Sequence, residues 1–384
     1  MNRRTLNIGI VGGGIGGVAA ALALRRAGFD ATVYERAPEL REVGAGMMLW
    51  PNATRVLREL GLLETVAASS GPNQHFLVRA RGGRILMDIA LGHFEVPALC
   101  TRRSDLLAAL TSALPREGIR LGHEFQSLER HPWGARVHFV TDGGSKVSAE
   151  HDVAIGADGL RSRVRYQLVG MHEPIYRGYT IWRGLARLGG AVPSGSNSET
   201  WGLGKRFGIL NTGGDRFTWY AAANVECGHA DAPEGRQREL LRMFAGWHDP
   251  VERLIEATEE AAILKNGAYD LAPLKRWGQG RITLLGDAAH PCTPNLGQGG
   301  CMALEDALVL AKSLRKEASI ESALRRYESL RRQRTRHVQQ RSLLMGNIGQ
   351  WENPLMAGGR QVVTRMLPAK LFERNLRRVY SYAA

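Results

Sequence analysis

The sequence predicts an α/β protein: a Rossmann-like domain interrupted by a mixed or antiparallel β-sheet domain and followed by a C-terminal helical region. Three stretches predict it. Near the N-terminus an apolar strand runs into a glycine-rich turn and an apolar helix, over residues 7–24. Between residues 176 and 224, aromatic and β-branched side chains alternate between glycine-rich turns, which suits a pleated, half-buried surface. From Ile282 the strand, glycine loop and helix pattern returns. The first domain is therefore discontinuous. Residues 1–75, 100–175 and 270–330 form it, residues 76–99 and 176–269 form the sheet domain, and residues 331–384 form the C-terminal helices. A chain of 384 residues exceeds one small core and suits such a division.

Asn7 to Val11 reads as a buried strand, Gly12-Gly13-Gly14-Ile15-Gly16-Gly17 as the turn, and Val18, Leu22 and Leu24 as part of the helix that Gly28 closes. Gly12 makes the turn, Gly14 admits a pyrophosphate, and Gly17 lets the helix pack on the strand. Glu35 ends the next strand, Ala31 to Tyr34, about 20 residues on, where an acidic side chain accepts hydrogen bonds from a ribose. Glycines alone indicate only a flexible loop; strand, helix and Glu35 in register specify a dinucleotide.

Asn52 reads as the cap of a helix through Val56, Leu57 and Leu60, stopped by Gly61. Ser104 or Asp105 starts another, with Leu106, Leu107, Leu110 and Leu114 on its apolar stripe. Short strands follow around turns at residues 131–134 and 142–144, and Val153 to Ile155 leads into Gly156-Ala157-Asp158-Gly159. In the insert, Trp182, Trp201 and Trp219 read as sheet core. A helical stretch from Gly235 to Glu260 and a returning strand from Ala261 to Tyr269 complete it.

The stretch from Leu285 to Asp306 specifies a site more than a fold. Gly286 ends the strand and delivers Asp287 into a loop through Pro291, Pro294, Gly297, Gly299 and Gly300. The glycines let backbone N–H groups approach a ligand, and the helix start adds positive partial charge. An acceptor-only carboxylate followed by donor-rich backbone suits a large, flat, polar-edged cofactor with hydroxyls on one side. Flavin adenine dinucleotide fits that description.

Composition excludes other classes. Hydrophobic content is 44% and mean hydropathy −0.23, and no apolar run reaches transmembrane length. No cleavage site follows Met1-Asn2-Arg3-Arg4, so a cytoplasmic enzyme with no membrane span is expected. Cys100, Cys227, Cys292 and Cys301 form no redox or metal-ligand spacing, the last two reading as buried small hydrophobes, and no metal is expected. The net charge is +14, with arginines bunched from Arg325 to Arg341. Without a nucleic-acid module, that run reads as the solvated face of a long helix with Leu324, Tyr327, Leu330 and Val338 on its apolar side, and no nucleic-acid partner is expected.

With the first glycine motif, the Ala157-Asp158-Gly159 segment and the Gly286-Asp287 loop in this order, the chain resembles the single-component (group A) FAD monooxygenases. These include para-hydroxybenzoate, salicylate and urate hydroxylases and zeaxanthin-epoxidase-like enzymes. Trp351-Glu352-Asn353-Pro354 is similar to a segment of the shorter bacterial branch. The resemblance implies the para-hydroxybenzoate hydroxylase-like fold, FAD as cofactor and NADH or NADPH as transient electron donor. It implies hydroxylation of an electron-rich aromatic or heteroaromatic small molecule with O2, through a flavin C4a-hydroperoxide, by a monomer or homodimer. Epoxidation of a polyene or isoprenoid reduction on the same fold stays open, as does a non-enzymatic FAD-binding partner protein.

Residue by residue, the resemblance places Glu35 and Arg36 at the adenosine end and Arg103 near the phosphate and ribityl side. Asp158 is associated with FAD and NADPH binding, and Asp287 with the ribityl hydroxyls. Gly297, Gly299 and Gly300 supply donors to the isoalloxazine edge, and Pro294 sets its backbone against the flavin. Gly44-Ala45-Gly46-Met47 is similar to the loop along which the flavin swings. Arg183, Arg206, Tyr220 and Pro294 are the substrate-pocket candidates, although alternation along a strand leaves the facing of the first three open. The urate-hydroxylase-like branch carries an aspartate in place of Asn295 and a tyrosine in place of Thr218, so a urate hydroxylase is not expected. No catalytic side chain is assigned.

Overall fold

A computed structural model of the chain describes residues 5–40, 45–190, 193–367, 377, 379–382 and 384. Gly44 and the four N-terminal residues lie outside them. Strand β1 (Asn7–Val11), helix α1 (Ile15–Arg26) and strand β2 (Asp30–Tyr34) form the expected unit, the strands pairing in parallel from Asn7↔Asp30 to Val11↔Tyr34. Strand β3 (Gly46–Leu49) and helix α2 (Pro51–Glu59) follow. Asn52 does not cap this helix: it lies in the first turn, and its buried side chain donates to Gln298 Oε1 (2.9 Å) and Glu305 Oε1 (2.6 Å). Trp50 occupies the cap position. Strand β4 (Val153–Gly156) pairs with β1, and helix α3 (Arg163–Val169) starts just beyond it.

The insert contributes strands β5 (Ile175–Arg187), β6 (Ser196–Trp201), β7 (Lys205–Asn211), β8 (Arg216–Asn224) and β9 (Leu264–Asp270). With His75–Ala80 and Ile85–Ala90 they make a seven-stranded sheet in the order β9, β5, β8, β7, β6, His75–Ala80, Ile85–Ala90. It is mixed, because β6 runs parallel to His75–Ala80. Trp182, Phe207, Phe217 and Trp219 pack on one face with Leu240, Phe244, Leu254 and Ile255, forming a second core. The helical stretch expected from Gly235 to Glu260 is two short helices, Arg236–Met243 and Val251–Glu256. Gly246 at positive φ and Pro250 interrupt it.

Strand β10 (Ile282–Leu284) returns to β4, giving the parallel order β10, β4, β1, β2, Ile119–Arg120. Helices α4 (Gly299–Lys316), α5 (Ile320–Gly349) and α6 (Pro354–Met366) follow. The expected solvated face of α5 needs correction. Arg331 is 0% exposed and Arg334 is buried, whereas Leu330, expected on the apolar side, is 46% exposed. Cys301 is buried and Cys292 only half-buried.

Candidate active site

Three glycine positions leave room for a ligand or for close packing. Gly12 has φ +113°, and an added Cβ would run into the Ala157 carbonyl. At Gly17 a Cβ would meet the Gly12 carbonyl oxygen, so this glycine serves helix–strand contact. At Gly14, ahead of α1, nothing lies within 4 Å of where a Cβ would be. The space is open at the N-terminus of a 12-residue helix, where a phosphate is favoured. Glu35 accepts from the N–H groups of Gly13 (2.6 Å) and Ala37 (2.9 Å), and Arg36 beside it is exposed. A carboxylate oxygen has two lone pairs, so each oxygen of Glu35 retains capacity for a ribose.

Asp158 accepts from Val164 N–H through Oδ2 (3.1 Å), while Oδ1 is buried without a partner. Burial pushes its carboxyl above the ordinary value. Arg165, which the sequence reading missed, bridges this segment to the second loop: it donates to the carbonyls of Leu160 (2.6 Å) and Ala288 (3.0 Å). Asp287 presents exposed surface, yet its surroundings desolvate it enough to raise its carboxyl above the usual range. Exposed surface inside a desolvating environment describes the wall of a cleft. Asp287 lies at the start of α4, with Oδ1 3.8 Å from where a Gly299 Cβ would stand. Gly297 adopts φ +60°, which suits glycine, and closes the turn Pro294–Leu296, in which Pro294 is exposed. Met47 lies over Gly300, 2.5 Å from an added Cβ. Ala45 is buried, and Gly46 N–H donates to Thr218 Oγ1 (2.9 Å). Arg103 begins the helix Arg103–Ser112, close enough to lower Asp287 electrostatically. An orphaned acceptor at Asp158, open space at Gly14 and a desolvated carboxylate at Asp287 fit the pyrophosphate and hydroxyls of FAD.

Behind the second loop lies a buried ionic network. Asp306 Oδ2 accepts from Gly286 N–H (3.0 Å) and meets His290 Nε2 (2.5 Å), while Oδ1 meets Arg331 Nε (2.6 Å). Burial raises Asp306, but His290 and Arg331 outweigh it and hold the carboxyl down to about 2. Arg331 and Arg334 also pair with Glu305 (2.6 and 3.0 Å), which receives Asn52. The sequence reading missed this network; its one local trace is that Glu305 and Asp306 stand within an apolar helix.

The sheet supplies the opposite wall. Arg183 pairs with Tyr220, Tyr220 with Gly208, and Gly208 with Glu199, so the four form one row across β5, β8, β7 and β6. Alternation then puts Arg206, Thr218 and Tyr179 on the same face as that row. Thr218 meeting Gly46 and Arg206 meeting Asn295 show that this face looks toward the cofactor lobe. The three pocket candidates on strands, Arg183, Arg206 and Tyr220, therefore share it, while Pro294 lies in the second loop. The Tyr220 ring lies where a Gly208 Cβ would be, and its hydroxyl donates to Glu199. Burial, then Glu199, pushes the phenol well above its ordinary value, so it stays protonated. Arg206 is 3% exposed and engages Glu199 (3.4 Å), Gln350 (2.7 Å) and Asn295 (2.6 Å). Asn295 also meets Tyr179 and donates to Thr293 and the Ser342 carbonyl. Arg183 is half-buried and donates to Asn266 (3.3 Å). Sequence alone carries no signal for Glu199 or Tyr179.

A nucleotide loop, a desolvated aspartate and a facing sheet wall define a flavoprotein, and comparison with known proteins narrows the class. The chain belongs to the FAD binding domain family, whose model matches residues 5–181 and 258–342. It is 40% identical over 377 residues to the aurachin C monooxygenase/isomerase of Stigmatella aurantiaca, covering 97% of each chain. It is 34% identical over 339 residues to the FAD-dependent urate hydroxylase of Klebsiella pneumoniae, covering 86% of each. The fold is similar to that of Klebsiella pneumoniae HpxO complexed with FAD and uric acid, with TM-score 0.90 and 29% identity over 98% of this chain and 97% of that one. The protein is thus an FAD-dependent monooxygenase of the aromatic-hydroxylase group, as its motifs implied.

Proposed function

We propose that the enzyme uses NADH or NADPH and O2 to hydroxylate an electron-rich heteroaromatic small molecule that enters the cleft uncharged. The observation that carries this reading is the wall facing the cofactor. Arg206 is taken up by Glu199, Asn295 and Gln350, Asn295 and Thr218 are neutral, and Arg183, the other cation of this wall, donates to Asn266. Relatives named for aurachin C, urate and 6-hydroxynicotinate act on ring compounds, which supports a heteroaromatic substrate.

In this reading Gly14 and the start of α1 hold the pyrophosphate, Glu35 and Arg36 the adenosine end, and Asp158 and Arg103 the middle. Asp287 accepts a ribityl hydroxyl. Gly297, Gly299 and Gly300 offer backbone donors to the ring edge, with Pro294, Ala45, Gly46 and Met47 flanking it. Bound FAD supplies the electron storage and oxygen activation that the side chains lack. The residues orient the ring, and the sheet wall keeps water from it. Tyr220 stays a neutral hydrogen-bond donor, not a base, because Glu199 takes its proton's hydrogen bond.

The test is a screen of 4-quinolones, hydroxypyridines and phenols with the yellow enzyme. At least one uncharged heteroaromatic should stimulate NAD(P)H oxidation and O2 uptake together and emerge with one added oxygen atom. Stimulation confined to anionic carboxylates, or peroxide release as the sole outcome with every ring, would overturn the proposal.

A further inference from the structure

Helix α6 turns Ala357, Arg360 and Thr364 inward, all three buried. Arg360 fastens it by donating to the carbonyls of Ile348 and Gly349 (2.7 Å each) and Gly202 (2.8 Å), and it lies over the Trp201 ring. The outward side is apolar. Leu355, Met356, Val362, Val363 and Met366 are 85, 46, 57, 57 and 77% exposed. Positions 355, 359, 362, 363 and 366 follow the spacing of one helix face, with exposed Gly359 completing it. Scattered single apolar side chains are ordinary on a protein surface; five exposed on one short helix mark an interaction site. The 13 residues of α6 include no Asp or Glu, Arg365 in its last turn is exposed, and Trp351 stands half-buried at its foot.

We propose that α6 docks the enzyme flat on an anionic bilayer, seating its ridge at the headgroup boundary while the +14 charge of the chain holds it to the surface. An interfacial helix needs one apolar face and a basic or polar remainder, and α6 has both. It lies on the membrane rather than across it. Thirteen residues rise about 20 Å, short of the roughly 30 Å hydrocarbon core. No described helix is long and apolar enough to cross.

A second copy of the chain is a poorer occupant. With Gly358 and Gly359 between its protruding ends, Leu355 and Met366, the ridge does not decide its occupant by shape; charge does. Two chains of +14 also repel one another, whereas an anionic leaflet attracts each.

The test uses the full-length, FAD-loaded enzyme and vesicles of phosphatidylcholine alone or with phosphatidylglycerol added. The enzyme should sediment with the anionic vesicles at least about tenfold better than with the neutral ones, and high salt should weaken this. A variant carrying Leu355→Ser, Val363→Ser and Met366→Ser should keep its FAD and stay in the supernatant. Two results would overturn the proposal outright: native enzyme that ignores anionic vesicles, or a triple variant that sediments equally well. A lipid-free native dimer that the triple variant splits into monomers would assign the ridge to a second copy instead.

Discussion

On the nucleotide side of the cleft, the positions that matter are glycines whose missing Cβ leaves room, supported from behind by buried ion pairs. On the sheet side they are long polar side chains that lean across strands to meet one another: Tyr220 over Gly208 to Glu199, and Arg206 out to Asn295 and Gln350. The first wall is specified locally, by a few residues in a row. The second is specified by register, because only the pairing of four strands brings Arg183, Tyr220, Gly208 and Glu199 into line. Substitutions on the first wall should therefore act on cofactor retention or folding, and those on the second on turnover.

The sharpest break in the comparison lies within the first motif. Gly14→Val adds a side chain where the protein itself has open space. The variant should fold normally yet lose FAD by a clash with the pyrophosphate, weakening affinity about ten-thousand-fold, or roughly 5.5 kcal/mol. Gly17→Val, three residues on, meets the Gly12 carbonyl and should instead fail to fold. Circular dichroism together with flavin absorbance separates the two, and a yellow, active Gly14→Val enzyme would remove the motif from the site.

Behind the loop, Arg331→Met should leave Asp306 and Glu305 buried with reduced pairing, at a cost of about 3–5 kcal/mol in unfolding free energy. Urea unfolding measures it; a loss under 1 kcal/mol would show that the network is not supporting the loop.

Acid sensitivity separates two buried groups behind the nucleotide wall by a smaller amount. His151 packs where a Gly9 Cβ would stand and bonds Asn7, and burial lowers its imidazole to about 4. Its folded pKa lies below the unfolded value, so the unfolded chain binds the proton more readily. The corresponding stability is fully present above about pH 6.5 and is lost as pH falls toward 4, amounting to about 3 kcal/mol. Asp306, held down to about 2, loses its share only below about pH 4, so the two windows are distinct. His151→Phe should flatten the upper limb and leave the lower one, as thermal melts across that range would show.

These walls also differ in how much of them could be read from residues alone. The strand, glycine turn and helix around Gly12, Gly14 and Gly17, and the strand ahead of Asp287, were legible as structure because turn chemistry and a helix start act over a few neighbouring residues, and the fold followed from repeating that pattern. Arg183, Arg206 and Tyr220 could be named but not oriented, since facing depends on a strand's register with its partners. Asn52 reads as a cap because its position before an apolar helix suits one, yet the acceptors that hold it, Gln298 and Glu305, lie more than 240 residues away. The arginines of α5 looked solvated for the same reason: their carboxylate partners sit on another helix.

The smallest expected effect probes register directly. Gly208→Ala places a methyl group where the Tyr220 ring now lies, so the ring must move and its hydroxyl must leave Glu199. Tyr220→Phe removes the same hydrogen bond without displacing the ring. Both should keep FAD, because neither touches the glycine loops. If the hydrogen bond alone matters, the two variants should lose kcat/KM equally, by about tenfold, which corresponds to roughly 1.4 kcal/mol. If ring placement shapes the wall, Gly208→Ala should fall further, and its product should be accompanied by more hydrogen peroxide, since a displaced wall admits water. Unchanged turnover and coupling in both variants would mean that this row of the sheet does not face the reacting ring.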